Sequence, residues 1–194
     1  EGLATDHYDD EPIVCLGGAY VSPQRILTAK SSPKLIQKGV HHVRSPKRFS
    51  DAVSALGAES RAEDRHWRMA FEWVDLTYAN ATGLIDRGLK EMLRDAYYQR
   101  RLLGLPEGLE NDVKCLLGRD GRLYSLGDVR AGRFVFNDQP GLADAAEAQG
   151  AMVGFPDESE KAQAFFGKLG LVRLTEKMDQ PDPEVGNTLD LPSG

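Results

Sequence analysis

A chain of 194 residues, 41% hydrophobic and 28% charged, is long enough for one large domain or two small ones and too apolar to stay disordered. Its net charge of −6 argues against a broad nucleic-acid-binding surface and leaves room only for a local basic patch. No apolar run approaches the roughly 18 residues of a membrane-spanning helix, and the start, EGLATDHYDDEP, is acidic and polar, unlike a signal peptide.

With no initiating Met, the chain reads as a piece of something longer, and residues 1–11 as a flexible, solvated arm. Pro12 then opens an apolar strand over 13–16, Gly17-Gly18 makes a turn, and Ala19, Tyr20 and Val21 return as a second strand. Ser22-Pro23 is a helix start, with the Ser side chain as N-cap and Pro in the first turn. Pro33 and Gly39 punctuate the next stretch, 40–43 forms another short strand, and Pro46 precedes a helix over 49–56. That helix sets Ala52, Val53 and Leu56 at helical spacing and stops at Gly57.

The middle of the chain is helical. Trp67, Ala70, Phe71, Val74 and Tyr78 follow the spacing of one amphipathic face over about 62–79. Trp73 falls off that stripe, to be part-exposed or to meet another element. Asn80 to Gly83 interrupts the pattern. A second helix over about 84–103 aligns Ile85, Leu89, Met92, Leu93, Ala96 and Tyr97 and ends at Gly104 and Pro106.

The pattern of the start then returns. VKCLLGRDGRLYSLGDVR, from Val113, repeats the strand, turn, strand and Ser of VCLGGAYVSPQRIL, from Val14. Asp120-Gly121 is a strong hairpin turn. Ser125 falls where Ser22 fell and Val129 where Ile26 fell, at one constant offset. Downstream, Pro140 echoes Pro33, Met152-Val153 echoes His42-Val43, and Pro156 echoes Pro46. A helix over 159–169, expected to be about one turn longer than its counterpart, ends in Leu169-Gly170, which matches Leu56-Gly57. Landmarks kept in one order, with drift confined to loops, indicate a degenerate internal repeat. From Lys177 the prolines, glycines and acids read as a disordered tail or linker.

No constellation points to catalysis. His7, Asp9 and Asp10 could ligate a cation, but in a floppy arm nothing holds them in place. On a strand His41 and His42 point to opposite faces, so they cannot share one ion. His66 has no second His one turn away. The nucleophile-elbow, phosphate-loop and dinucleotide fingerprints are absent, and Gly17-Gly18 sits in a hairpin rather than before a long helix. Cys15 and Cys115 are too few for a disulfide framework or a four-ligand metal site; they read as reduced, buried thiols of a cytoplasmic protein. The one charged feature is the basic segment 30–48, in which Lys34, Lys38, Arg44, Lys47 and Arg48 could contact phosphates or an acidic partner. In YYQRR, Tyr97 to Arg101, aromatic and basic residues adjoin as on an ordinary helix face.

The segments VKCLLGRDGRLYSLGDV at 113–129 and FFGKLGLVRLTE at 165–176, with the weaker VCLGGAYVSPQRIL at 14–27 and FSDAVSALGAE at 49–59, resemble the repeated modules of sacsin-like and NO VEIN-like proteins. In those very large chains an Hsp90-type ATPase domain is followed by such modules. None of the ATPase's nucleotide-binding motifs is present here, so no ATP-site residue carries over. The resemblance implies a non-catalytic segment of a larger, chaperone-like ATPase protein, bacterial, with a defence or quality-control role.

The expected fold class is α+β, with two related small units, each a short antiparallel sheet plus helices and winged-helix-like in outline, flanking a central helical pair. The expected bounds are a flexible arm at 1–11, a first unit at 12–60, the helical pair at 61–106, a second unit at 107–176 and a tail at 177–194. Trp67, Phe71, Val74, Leu89, Met92, Leu93, Tyr97, Phe166 and Leu169 are the expected core. The expected function is a non-catalytic scaffold or protein-interaction module needing no cofactor, metal or membrane. Its partners are other domains of the parent chain or another protein. The alternative is a winged-helix-like nucleic-acid-binding domain that uses segment 30–48.

Overall fold

The computed structural model of the chain describes residues 14–28, 32–42, 47–78, 85–131, 134–137, 139–148, 152–154, 160–171 and 173–178. The N-terminal arm, Lys30, Arg44, the 80–83 interruption and the tail beyond Met178 lie outside the described residues. The fold is mixed α+β, with two small antiparallel sheets and several helices.

Strands β1 (Val14–Leu16) and β2 (Ala19–Val21) form an antiparallel hairpin that pairs Val14 with Val21. A 3-10 turn, Pro23–Arg25, leads into β3 (Ile26–Leu27). After α1 (Ile36–Gly39), β4 (His41–His42) pairs with β3 in parallel, and α2 (Lys47–Ala55) follows. The unit closes where Leu27 bridges Glu59 in parallel and the Thr28 amide donates to the Glu59 carbonyl at 2.8 Å. Helices α3 (Asp64–Tyr78) and α4 (Arg87–Gln99) come next.

The same order of pairings then recurs. Strands β5 (Lys114–Leu117) and β6 (Leu123–Ser125) form the second antiparallel hairpin. Helix α5 (Leu126–Arg130) leads into β7 (Phe134–Val135), and after α6 (Pro140–Ala148) comes β8 (Met152–Val153), parallel to β7. Helix α7 (Glu160–Lys168) follows, and Phe136 then bridges Arg173 in parallel before α8 (Leu174–Met178).

Several expectations need correction. The two expected antiparallel hairpins are present, and beside each stands an unforeseen parallel pair, β3–β4 and β7–β8, because a helix crosses over between their strands. Ser22 does not cap with its side chain; only Ser125 does, in a capping box with Asp128. The counterpart of Ile26 by strand pairing is Phe134 rather than Val129, because the longer α5 stands where the first hairpin is followed by a three-residue 3-10 turn. Among the described residues α2 and α7 both span nine residues, and no extra turn distinguishes α7 there. Ala52 and Leu56 are exposed, and only Val53 of that expected face is buried. Lys177 and Met178 continue α8 instead of beginning the tail.

The two cysteines are not counterparts. Cys15 sits opposite Tyr20 and is exposed, so it is not the buried thiol expected, while Cys115 is fully buried at a register shift in β5.

A single large cluster holds the molecule together. It runs from Leu27, Leu35, Ile36 and Val40 through Trp67, Phe71, Val74, Leu89, Leu93 and Tyr97 to Leu116, Phe134, Phe165 and Phe166. Met92, Leu169 and Trp73 pack against it while part-exposed, and the Trp73 ring meets Tyr78 edge-on at 5.7 Å. Two satellite clusters lie on its flanks, one built from Val14, Val21, Ile26, Val53 and Ala58, the other from Val135, Ala143, Ala146, Val153 and Leu174. The period-2 geometry of a strand explains the division. In β3, Leu27 faces the large cluster and Ile26 the satellite; in and after β7, Phe134 and Phe136 face the large cluster and Val135 the satellite. Helix α1 presses closely on α3, since a Cβ on Gly39 would stand 2.5 Å from the Ala70 Cα.

Phe166 is 1% exposed and stacks with Phe136 at 5.3 Å, and Trp67 is 6% exposed and stacks with Phe71 at 6.3 Å. Phe166→Ala or Trp67→Ala therefore empties a large part of the cluster and costs about 3–5 kcal/mol of unfolding free energy, checked by urea denaturation of each variant.

Candidate functional site

Two groups of residues decide what this surface and interior can do: the polar groups buried along α3 and α4, and the cations and apolar side chains left outside.

The first begins with Tyr97. The register of β5 slips between Lys114 and Leu116, so Cys115 is skipped by the ladder with β6. A bulge of this kind leaves backbone groups without strand partners. The Tyr97 hydroxyl supplies them, donating to the Cys115 carbonyl at 2.6 Å and accepting from the Leu117 amide at 3.0 Å. Its ring stacks on Phe165 at 4.7 Å and meets Phe166 at 5.6 Å. Burial above all pushes the phenol well above its ordinary pKa, and burial likewise raises the Cys115 thiol, so neither is a nucleophile or base at neutral pH.

Arg100 was not singled out by the sequence, which reads YYQRR as a helix face. Its side chain is only 2% exposed. The guanidinium donates to the Gly104 carbonyl at 2.6 Å and to Asp64 at 2.8 Å, and lies 5.8 Å from the centre of the Trp67 ring. The other Asp64 oxygen accepts from the Glu107 amide at 3.0 Å. The hydrogen bond from Arg100 chiefly holds the Asp64 carboxyl below its usual range, against an opposing effect of burial. The pair pins the start of α3, the end of α4 and the loop after it. The only sequence signal was an Arg in register with the apolar stripe, at i+3 from Tyr97 and i+4 from Ala96.

His66 is fully buried, and its Nδ1 accepts from the Glu63 amide at 3.0 Å. Its Nε2 is buried with no hydrogen-bond partner. Burial, and then the neighbouring Arg65 charge, lower its pKa to about 4. These groups hold backbone together.

The basic segment is described in part. Lys34 and Lys38 are exposed beside and on α1, Arg48 is exposed on α2, and Arg44 and the Lys47 side chain lie outside the described residues. Lys34 lines a cleft of about 410 Å³ together with Gly88, Glu91, Met92 and Asp95 of α4. Those carboxylates repel an approaching phosphate. Among the described residues no group of three or more His, Cys, Asp and Glu could hold a metal ion, and no helix is long and apolar enough to cross a membrane. The His7, Asp9 and Asp10 cluster lies outside the described residues.

The exposed apolar side chains were not foreseen as a group. Tyr20, Leu76, Leu102 and Leu103 are each more than two-thirds exposed, while Phe49 and Leu56, both on or next to α2, are 38% and 39% exposed. No family model, no curated protein and no solved structure matches the chain.

Two outcomes test the interior. Tyr97→Phe removes only the hydroxyl, orphans the Cys115 carbonyl and the Leu117 amide, and lowers stability by about 2–3 kcal/mol, measured by urea unfolding with an unchanged denaturant slope. The lowered pKa of His66 means the unfolded chain binds a proton that the folded chain refuses between pH 6.5 and about 4. The His66 contribution is fully present above pH 6.5 and is lost as pH falls through that window. His66→Gln, which keeps an acceptor for the Glu63 amide, flattens this part of the melting-temperature profile.

Proposed function

We propose that the chain is a non-catalytic scaffold or protein-interaction module of a larger, chaperone-like or defence-associated ATPase protein of bacterial type. In this reading two related α+β units stand on either side of the helical pair formed by α3 and α4. The observation that carries it is the repeated order of pairings, in which hairpin, helical turn, parallel strand pair, nine-residue helix and closing parallel bridge run from Val14 to Glu59 and again from Lys114 to Arg173.

The positions shared by the two units are turns, strand partners and core contacts, so what has been kept is a shape. A unit of this size buries too little apolar surface to stand alone, and stacking on a common helical core supplies the rest. The resemblance of 113–129 and 165–176 to sacsin-like modules supports the same conclusion. So does the use of Asp64, His66, Tyr97 and Arg100 as internal ties.

The competing reading is a winged-helix-like nucleic-acid-binding domain, favoured by the exposure of Lys34, Lys38 and Arg48 and opposed by the carboxylates in the cleft that Lys34 lines. Two measurements separate them. Fluorescence anisotropy with labelled duplex DNA and single-stranded RNA is expected to show no binding even at about 50 mM salt; binding that weakens steeply toward about 200 mM would establish phosphate contacts instead. Segments flanking these residues in the parent chain, expressed separately, are expected to bind this chain in titration calorimetry. Silence from all of them would sink the scaffold reading.

A further inference from the structure

The two nine-residue helices end alike. Leu56 donates to the Val53 carbonyl at 3.1 Å and Gly57 to that of Ser54 at 3.0 Å; Leu169 donates to the Phe166 carbonyl at 3.0 Å and Gly170 to that of Gly167 at 3.2 Å. Gly57 and Gly170 both take positive φ, at 101° and 68°, as a helix C-terminus of this kind requires. The match equates Val53 with Phe166, Ala52 with Phe165 and Leu56 with Leu169.

What differs is the cover. Phe165 and Phe166 are 0% and 1% exposed because α4, the helix that precedes the second hairpin, lies over them and brings Tyr97 against both rings. Among the described side chains of α2 only Val53 is buried. Phe49, Ala52 and Leu56, spaced i, i+3 and i+7 on one helical face, are all exposed. Among the described residues no helix stands to α2 as α4 stands to α7. Arg48 lies i−4 from Ala52, at the rim of this face; it is exposed, no acid occupies the first turn of α2, and no carboxylate among the described residues pairs with it.

We infer that the Phe49–Ala52–Leu56 face of α2 is a docking site for an amphipathic helix of a partner polypeptide, with an apolar stripe like that of α4 and an acidic flank that meets Arg48. The inference rests on the interaction-module reading. The apolar stripe supplies the affinity by burying Phe49 and Leu56, and the charge at the rim sets orientation and partner choice. The site explains why a surface helix of an acidic protein keeps a basic first turn beside an apolar face.

The probe is a labelled synthetic helix of about 18 residues that keeps the spacing of Leu89, Leu93, Ala96 and Tyr97 and carries Glu at its flanks. In fluorescence anisotropy it binds the chain, and the double variant Phe49→Ser, Leu56→Ser weakens it at least about tenfold. Arg48→Glu weakens it about threefold, and exchanging the peptide's Glu for Lys weakens it similarly. The substituted side chains point outward, so melting temperatures are expected to stay near wild type. Should the double variant unfold, Ala52→Glu, which keeps a helix former at an exposed position, gives the same loss. Equal binding to wild type and Ala52→Glu, or none to wild type, overturns the site. Flanking segments of the parent chain that bind regardless of these substitutions remove the site and leave the module reading standing. A dimer of the wild type in sedimentation that Phe49→Ser, Leu56→Ser dissociates makes the occupant a second copy of this chain and overturns the partner helix.

Discussion

The architecture depends on one hydroxyl group placed where a strand misses its partner. The β5 ladder slips at Cys115, and the Cys115 carbonyl and the Leu117 amide bond to another group rather than across the hairpin. Tyr97 reaches from α4 and satisfies both, while its ring carries Phe165 and Phe166 of α7. A helix, a strand and a second helix are thereby fixed against each other by a single residue. Buried polar groups that are fully satisfied in this way specify one arrangement, because any other leaves them unpaired at a cost of about 1–3 kcal/mol each.

Arg100 adds a second constraint one turn further along α4. Tyr97 secures the helix to the second hairpin; Arg100 secures its end to Asp64 at the start of α3. Between them the two helices cannot slide without breaking hydrogen bonds on both sides. The Trp67 ring beneath the guanidinium makes the burial of that charge tolerable, since the cation faces a π surface on one side and oxygen acceptors on the other.

Much of the fold was legible in the sequence because local signals agreed with global ones. Gly17-Gly18 and Asp120-Gly121 mark the two hairpins, and the apolar stripes through Trp67, Phe71 and Val74 and through Leu89, Leu93 and Tyr97 lie where α3 and α4 bury them. Two-residue strands such as β3 and β7 carry no periodicity to read, and their parallel pairing is set by long-range packing. Arg100 was hidden because an Arg between Gln99 and Arg101 looks like surface, and nothing local announces that Asp64, far away in the chain, will meet it. The Ile26–Val129 match failed for a related reason: a constant offset cannot anticipate a turn of one length replaced by a helix of another. The candidate surface was half legible, since Arg48 stood out by charge, whereas the exposure of Phe49 and Leu56 depends on no helix covering α2 among the described residues.

The placement of β3 and β7 between two apolar clusters has an evolutionary consequence. Each strand sends neighbouring side chains to opposite sides, and both sides are filled. Adding or deleting one residue just ahead of either strand would exchange its inward and outward sets, putting Ile26 where Leu27 belongs or Val135 where Phe134 belongs. Length variation in descendants of this gene should therefore collect in the connections between strands and crossover helices and spare the residues immediately before these two strands.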